Sequence, residues 1–317
     1  MRPGLTRAGA VVGSGAALVG GLALANRLLL IDDLPPTLPG APLDWTWRGW
    51  RVRYTTLGSG PPVVLVHGVH AAASSFEMCG IFEPLSQRYT VYAVDLLGFG
   101  KSERPSAPYS RSFYADLLAD FLAEVVGRTE MLLGSSLSAA YAVAVARAQP
   151  GLMDRVALVS PTDATSLSPA GRAFGWLLAA PLVGTAAFNV LASHASIQSY
   201  LRKVYADPSL VDEPLVEQHW ATAHQPNARL APAAFLAGAL DLPFSHADPP
   251  FGGPIAAPIL VVRGSVPGIG EQASDGALHA LGRRVTIETV EGAGQLPHDE
   301  APERVLALIE GWLAETA

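Results

Sequence analysis

One serine stands out because its residue type and its setting together suggest chemistry. Ser136 lies in MLLGSSLSAAYA, after an apolar run and before an amphipathic segment, so it falls between a predicted strand and a predicted helix. A serine hydroxyl is a weak nucleophile at neutral pH and needs a nearby base that is itself oriented by an acid. A serine before a helix also occurs as a plain N-cap. Ser136 is therefore a nucleophile candidate whose partners must be sought elsewhere in the chain.

The elements that would position this serine alternate regularly along the chain. Short apolar runs, typical of parallel strands buried on both faces, are separated by segments with helical spacing. The runs are PPVVLVHG, YTVYAVDLLGFG, TEMLLGSS, DRVALVSP, APILVVRGS and RVTIETVEG. This order predicts an α/β fold with a doubly wound, mostly parallel sheet that binds ligands at the carboxyl ends of its strands. The alternation stops at about residues 163–251, where helical stretches predict a cap over that edge.

Three motifs resemble those of the α/β-hydrolase fold superfamily. The frame GSSLS is similar to its nucleophile elbow, G-x-S-x-G, with Ser138 in place of the second glycine. VVLVHGVHAAASSFEM resembles its first core strand with a His-Gly loop, and VYAVDLLGFGKSERP resembles its D-x-x-G-x-G-x-S segment. The resemblance extends from about Trp45 to Trp312 and implies an eight-stranded type of sheet. It also implies an oxyanion hole made by the N–H groups of Val69 and Leu137.

The resemblance assigns structural rather than catalytic roles to four residues of these loops, namely His67, Asp95, Gly98 and Gly100. It also shows where this chain departs from the family. The family's base is a histidine in a G-x-G-H-type loop, but GAGQ places Gln295 there, and an amide has no useful basicity. The family's acid is usually an aspartate in a G-x-x-D loop after the strand that reads APILVVRGS here, yet this chain has no carboxylate between that strand and Glu271. The resemblance thus implies a degenerate Ser-His-Asp triad.

Other side chains would have to replace the two missing partners. His298, close after the family's histidine position, is one base candidate, with bracing of its loop as the alternative role. His70, beside the His-Gly loop, is the second. Asp163 in SPTDAT is the acid candidate, because some family members keep a relocated acid after this strand. Its alternative role is that of a solvated loop or cap-hinge residue. His219 and His224 are about one helical turn apart, but without a third ligand they predict no metal site.

The N-terminal thirty residues are strongly apolar. No charge occurs from Ala8 to Asn26, a length close to the ~20 residues that cross a bilayer. We interpret the segment 8–30 as a membrane anchor. Its small-residue pattern in LALAN also fits the cleavage site of a signal peptide. The third alternative is a helix packed on the domain. Anchor and signal both place the domain outside the cytoplasm. Residues 1–30 would thus precede a Pro-rich linker, 31–44, and a domain, 45–317.

Composition excludes several classes of function. The net charge of −7, without a Lys/Arg run, excludes an electrostatic nucleic-acid surface. The single cysteine, Cys79, excludes an intramolecular disulfide. No cofactor is implied, and the apolar cap predicts a hydrophobic small-molecule ligand or ester.

Three functions fit these residues. The first is a serine-dependent ester or acyl hydrolase with an altered triad, favoured by the preserved elbow and oxyanion loop. The second is a non-catalytic, membrane-tethered module that binds a ligand in the lidded pocket, favoured by the missing triad partners. The third is a non-hydrolytic catalyst on the same fold, which stabilises an anion without an acyl-enzyme.

Overall fold

The computed structural model describes residues 20–31, 34, 38–164, 167–245, 252–269 and 272–316. Its centre is an eight-stranded sheet in the order β1-β2-β4-β3-β5-β6-β7-β8. The strands are β1 Ala41–Trp47, β2 Trp50–Leu57, β3 Pro62–Val66, β4 Thr90–Val94, β5 Thr129–Ser135, β6 Met153–Val159, β7 Ile259–Gly264 and β8 Val285–Val290. β2 runs antiparallel to β1 and β4, and the other neighbouring strands are parallel. The predicted mostly parallel sheet is confirmed.

Helices cover both faces of the sheet, which explains why its strands are apolar throughout. In β3, Val64 and Val66 belong to the core packed against α3 and α4, while Val63 and Leu65 belong to the core packed against α2 and α12. Successive strand residues point to opposite faces, so a strand covered twice must be apolar at every position. The described helices are α1 at 20–28, α2 Cys79–Ser86, α3 Arg111–Phe121, α4 Ser138–Ala148, α5 Pro169–Ala179, α6 Val183–Leu191, α7 His194–Val204, α8 Glu213–Ala223, α9 Leu230–Leu236, α10 Asp275–His279, α11 Pro297–Glu300 and α12 Pro302–Glu315.

Shorter helical turns connect these elements. A π-helical turn, Leu122–Val126, extends α3, and the 3₁₀ turns are Ser75–Met78, Pro150–Leu152 and Pro208–Leu210. Between β6 and β7 the described residues contain five helices, α5 to α9, and no strand. This helical insertion is called the cap below. Residues 246–251, at the end of the predicted cap range, lie outside the described part of the chain.

The predicted linker, 31–44, needs a correction at its end. β1 begins at Ala41 and pairs with β2, so residues 41–44 belong to the sheet. The spacer interpretation gave too much weight to the prolines. β1 is an edge strand, and an edge strand tolerates Pro42 because one side of its backbone has no pairing partner.

The N-terminal segment is described only from residue 20. α1 is followed by a contact with the cap, in which Ile31 N donates to His224 O and Gln225 Nε2 donates to Ile31 O. Most of the predicted anchor therefore lies outside the described residues. Within the described ones, no single helix has the length and apolar composition to cross a membrane, although α5 and α6 meet that test as a pair bent by 120°.

Replacing Gly100 by alanine is expected to destabilise the fold by about 2–4 kcal/mol. Gly100 has φ +49°, and a Cβ there would lie 2.2 Å from Asp95 Cγ. The Asp95 carboxylate cannot move freely, because its two oxygens accept from Ser75 N at 2.7 Å and Lys101 N at 2.9 Å. Denaturant unfolding measures the change. Gly151→Ala is the control, since a Cβ there meets nothing within 4 Å, and an equal effect of both variants would contradict the argument.

Candidate active site

Ser136 occupies a sharp turn between β5 and α4. Its φ is +51°, in the left-handed region, which costs a non-glycine residue roughly 1–2 kcal/mol. Its N–H donates to Val159 O at 2.9 Å, and its carbonyl accepts from Thr162 N at 3.2 Å. Such local strain is often found at functional sites, where the surroundings hold it in place. The turn thus has the backbone form that the GSSLS frame predicted.

Two small residues allow β5 and α4 to approach each other at this turn. A Cβ on Gly134 would lie 2.6 Å from Ser138 O and 2.9 Å from Ala139 N, so only glycine fits there. Ser138 replaces the second glycine of the family frame without a clash. Its hydroxyl donates to His67 O at 2.6 Å, which ties the start of α4 to the end of β3.

The loop after β3 presents one of the two expected oxyanion donors. Within the described chain, neither Val69 N nor Leu137 N donates a hydrogen bond to another protein atom, and Val69 lines the cavity at Ser136. His67 holds this loop, because its Nδ1 donates to Gly68 O at 2.6 Å while its Nε2 accepts from Leu96 N at 3.1 Å. Two unengaged amides beside a serine can stabilise a developing oxyanion.

A cavity of about 390 Å³ lies between Ser136 and the cap and is called the Ser136 cavity below. Its polar lining residues are His70, Glu77, Ser136, Thr162, Tyr200 and Gln295; most of the others are apolar, among them Val69, Leu167, Val204, Phe235, Leu236, Ile269 and Leu296. An apolar chamber of about 220 Å³ shares His70, Tyr200, Phe235 and Leu236 with it. The predicted pocket beneath the cap is therefore present and mostly apolar.

Gln295, which the family resemblance predicts to replace a histidine, lies in the wall of this cavity. Its Oε1 accepts from Ile269 N at 2.9 Å, and its own N–H donates to Val204 O at 2.7 Å. These bonds connect the loop after β8 to the loop after β7 and to the cap. The loop after β7 carries no carboxylate in residues 265–269, and Glu271 lies outside the described residues. The loops in which the family resemblance implies a base and an acid therefore meet in space, and neither Gln295 nor residues 265–269 carry a titratable side chain.

His298 is fully buried and is not among the residues that line the Ser136 cavity. Its Nε2 lies 3.3 Å from Glu77 Oε1, without the alignment of a hydrogen bond. As a base for Ser136 it stays a prediction. Its observed contact is with a buried carboxylate that the sequence analysis did not single out.

Glu77 is the site residue that the sequence analysis missed. Its side chain is buried, lines the Ser136 cavity, and accepts from Gly68 N at 2.9 Å through Oε2. A Cβ on Gly68 would lie 3.2 Å from both Glu77 Oε2 and Ser136 Cβ, so carboxylate and serine flank the space of one missing methyl group. Burial raises the pKa of Glu77, but His298 and His70 outweigh it and lower the pKa to about 2. The only available signal was a charged residue in the otherwise apolar and small SSFEM.

His70, the second base candidate, lies in the cavity wall between two rings. It stacks on Tyr200 at 5.6 Å and on His219 at 5.8 Å between ring centroids. Its Nδ1 accepts from Ala72 N at 3.3 Å, so the neutral ring carries its proton on Nε2. Burial, with His219 nearby, lowers the pKa of His70 to about 3. His70 is thus neutral at pH 7 and only weakly basic.

Acid is expected to destabilise the fold in two overlapping pH ranges. Folded His70 stays neutral to about pH 3 while its unfolded pKa is 6.5, so stability falls as pH drops through that range. Folded Glu77 stays ionised to about pH 2 while its unfolded pKa is 4.5, so its contribution is lost between those values. Each group changes the unfolding free energy by up to about 1.4 kcal/mol per pH unit.

Thermal unfolding from pH 7 to pH 4 measures this dependence. His70→Phe keeps the ring stacking but removes the titration, so the fall in Tm between pH 6.5 and 4.5 should become shallower. An unchanged slope in that variant would assign the acid sensitivity to other groups. His219, whose pKa burial also lowers, stays in both proteins and contributes equally.

Asp163 makes contacts that hold the cap. Its Oδ2 accepts from Phe244 N at 2.7 Å, and its carbonyl accepts from Leu242 N at 2.8 Å. These bonds fasten the far end of the cap to the loop after β6, and the acid role stays a prediction.

His219 and His224 place Nδ1 at 2.9 and 2.8 Å from the carbonyls of Leu215 and Trp220. The described part of the chain contains no cluster of three metal-ligating side chains.

The strained serine at a strand-to-helix turn, beneath a helical cap on this sheet, matches a known family. The model of the alpha/beta hydrolase family aligns with residues 63–308. The chain belongs to the alpha/beta hydrolase family. Its relatives include hydrolases of several kinds. A 2-(acetamidomethylene)succinate hydrolase of Mesorhizobium japonicum is 27% identical over 259 residues, which cover 81% of this alpha/beta hydrolase and 89% of the relative.

One more sequence relative and one solved structure are also similar to this chain. An uncharacterized protein of Mycobacterium tuberculosis is 37% identical over 134 residues, covering 42% of this chain but only 38% of the relative's length. The solved structure of a meta-cleavage product hydrolase from Pseudomonas fluorescens superposes with a TM-score of 0.69 at 20% identity, covering 87% of this chain and 98% of that one. At that identity the structural likeness shows the fold alone.

Proposed function

We propose that this alpha/beta hydrolase is a serine-dependent acyl hydrolase for esters or thioesters whose leaving group departs without protonation. The observation that carries the proposal is the left-handed backbone of Ser136. That conformation costs free energy and has no evident use in packing, since a glycine would adopt it without strain. Beside it, the unengaged Val69 and Leu137 amides supply the donors that an oxyanion needs.

The reaction proceeds through an acyl-enzyme. Ser136 Oγ bonds to the acyl carbon, the carbonyl oxygen becomes an oxyanion, and its collapse breaks the bond to the leaving group. The hydroxyl proton passes through one water molecule to the Glu77 carboxylate, since Ser136 Oγ itself contacts Thr162 Oγ1 at 3.3 Å, and then to solvent or to the departed anion. Water then attacks the acyl carbon, releases the carboxylic acid and restores the serine.

The choice of leaving group follows from Gln295. In a complete triad the histidine gives its proton to the leaving group, and an amide cannot do so. An alkoxide or an amine would have to leave unprotonated, which is far slower than the departure of a phenolate or a thiolate. The Glu77 carboxylate, with its pKa of about 2, is ionised at neutral pH and therefore holds no proton for the leaving group in the resting enzyme. We therefore expect turnover of aryl esters and thioesters but not of amides.

A series of acetyl and butyryl esters with phenol leaving groups of graded acidity tests the proposal. The rate should rise steeply with the acidity of the phenol, with an initial burst of one phenolate per protein, while ethyl esters stay near background. A flat dependence, or hydrolysis of ethyl esters at a similar rate, would mean that the protein does protonate its leaving group. No hydrolysis of any ester would support the alternative of a binding module. That alternative is favoured by Gln295 at the position of the base.

Glu77→Gln is expected to slow release of the first phenolate about tenfold, because the amide keeps the acceptor for Gly68 N but cannot take a proton. Glu77→Asp should recover part of that rate. Loss of a buried charge beside His298 also lowers stability, so both variants are measured at a temperature where circular dichroism shows them folded. Glu83→Gln, at an exposed carboxylate on α2, is the matched control. Equal rates for Glu77→Gln and the control would remove Glu77 from the mechanism.

A further inference from the structure

The cap carries several large apolar side chains that face solvent. Trp176 is 73% exposed, Val190 72% and Val183 52%. They belong to α5 and α6, whose buried residues are Gly175, Leu178, Gly184 and Phe188. Soluble proteins seldom expose a large contiguous apolar surface without a partner for it.

The composition of these two helices shows that the exposure is not compensated by charge. A surface helix normally carries charged side chains on its outer face. α6, VGTAAFNVL, has none, and the only charged residue of α5, PAGRAFGWLLA, is Arg172. Val183 and Val190 are seven residues apart and so lie on one face of α6. The outer surface of the pair therefore carries exposed apolar residues from both helices and a single charged side chain, Arg172.

α1 extends this surface. Asn26 Nδ2 donates to Leu182 O at 3.1 Å, and Asn189 Nδ2 donates to Asn26 Oδ1 at 3.1 Å. These bonds dock one side of α1 onto the start and the end of α6. Leu24 and Leu28, each two residues from Asn26, point to the opposite side of α1 and are 58% and 75% exposed. The cap patch, as we call it, consists of Leu24, Leu28, Trp176, Leu177, Val183 and Val190.

We propose that a lipid bilayer covers the cap patch, with α5 and α6 lying in the interfacial region of the membrane. The occupant is indicated by the sequence that leads into the patch, since the uncharged run from Ala8 ends in α1. A segment of that composition partitions into lipid, and docking through Asn26 would bring the same lipid to the cap. Trp176, the most exposed large hydrophobic residue of α5, is of the type enriched at membrane interfaces.

The bend between α5 and α6 decides how they meet the bilayer. Together they have the length and composition of a span, but they turn by 120° between Ala179 and Val183. A pair bent in this way cannot cross as one straight helix. Such a pair can lie on the membrane surface, with its apolar side inserted about 5–10 Å into the bilayer and its other side packed on the domain. This inference does not depend on the proposed catalysis.

Site-specific fluorescence on the full-length chain tests the proposal. In a Cys79→Ser background, Val190→Cys is labelled with an environment-sensitive dye and mixed with phosphatidylcholine and phosphatidylglycerol vesicles, with or without brominated acyl chains. Gly151→Cys is the control, since Gly151 is exposed just before β6, at the sheet edge opposite the cap. The Val190 label should shift to the blue, brighten several-fold and be quenched by the brominated lipid. The Gly151 label should do none of these on the same vesicles.

Three results would overturn the proposal. An unchanged Val190 label on vesicle-bound protein would mean that the membrane contact, if any, lies elsewhere. A Val190 thiol that resists labelling before vesicles are added would mean that another part of this chain covers the patch. A blue shift that appears without lipid and grows with protein concentration would assign the patch to a second copy of the chain.

Discussion

Replacement of Ser136 by alanine or by glycine is expected to abolish modification by a fluorophosphonate, and the two variants should differ in stability. The reagent traps an activated serine, so intact mass and peptide mapping of the wild type should show one adduct at residue 136. Because φ is +51°, glycine removes the left-handed strain and should stabilise the fold by about 1 kcal/mol relative to alanine. Denaturant unfolding of both variants gives that difference directly.

The chain offers a matched control for this experiment. Ser160 also has a positive φ, +41°, and lies at the end of β6, but its hydroxyl is fully buried. Ser160→Ala should therefore keep the fluorophosphonate adduct, whereas both Ser136 variants lose it. An adduct that survives in Ser136→Ala would assign the labelling to another residue and remove the acyl-enzyme from the proposed function.

The parts of this site that were predictable from sequence are those set by neighbouring residues. The elbow is one, because Gly134, Ser136 and Ser138 lie within five residues and the turn itself demands their sizes. The sheet is another, because strands covered on both faces must be apolar at every position, and β3 is. In both cases the physical requirement acts over a few residues, so a short pattern shows it.

The parts that escaped prediction depend on residues far apart in the chain. Glu77 becomes a site residue because the fold brings its carboxylate to the cavity, where it accepts from Gly68 N at 2.9 Å, and no local pattern encodes that position. Asp163 likewise owes its observed bonds to Leu242 and Phe244, at the other end of the cap. Glu77 is buried in the structure, and a buried carboxylate requires compensating partners. Identifying the partner required the fold.

Introducing both the histidine and the acid that the family resemblance implies should raise ester turnover on the order of a thousandfold, whereas introducing the histidine alone should not. The family's G-x-x-D spacing from Gly264 puts the acid at Pro267. The structure places that loop against the histidine position, since a Cβ on Gly268 would lie 2.6 Å from Gln295 Oε1. Gln295→His combined with Pro267→Asp would therefore create an oriented imidazole. The comparison variant, Gln295→His with Pro267→Asn, matches the shape but lacks the charge, and should gain little.

The single variant Gln295→His tests whether a carboxylate already faces this position of the cavity. Without an acid the new ring is not held in the productive tautomer, so turnover should change less than tenfold. The substitution also removes the hydrogen bond from Ile269 N, so the free energy of unfolding should fall by about 1 kcal/mol. A large gain would mean that a carboxylate already faces this position. Glu77 is the cavity carboxylate on the far side of Gly68 from Ser136, so it is the residue to examine. Adding Glu77→Gln to Gln295→His would then cancel the gain if Glu77 orients the ring, and would leave it intact if the imidazole acts without an acid.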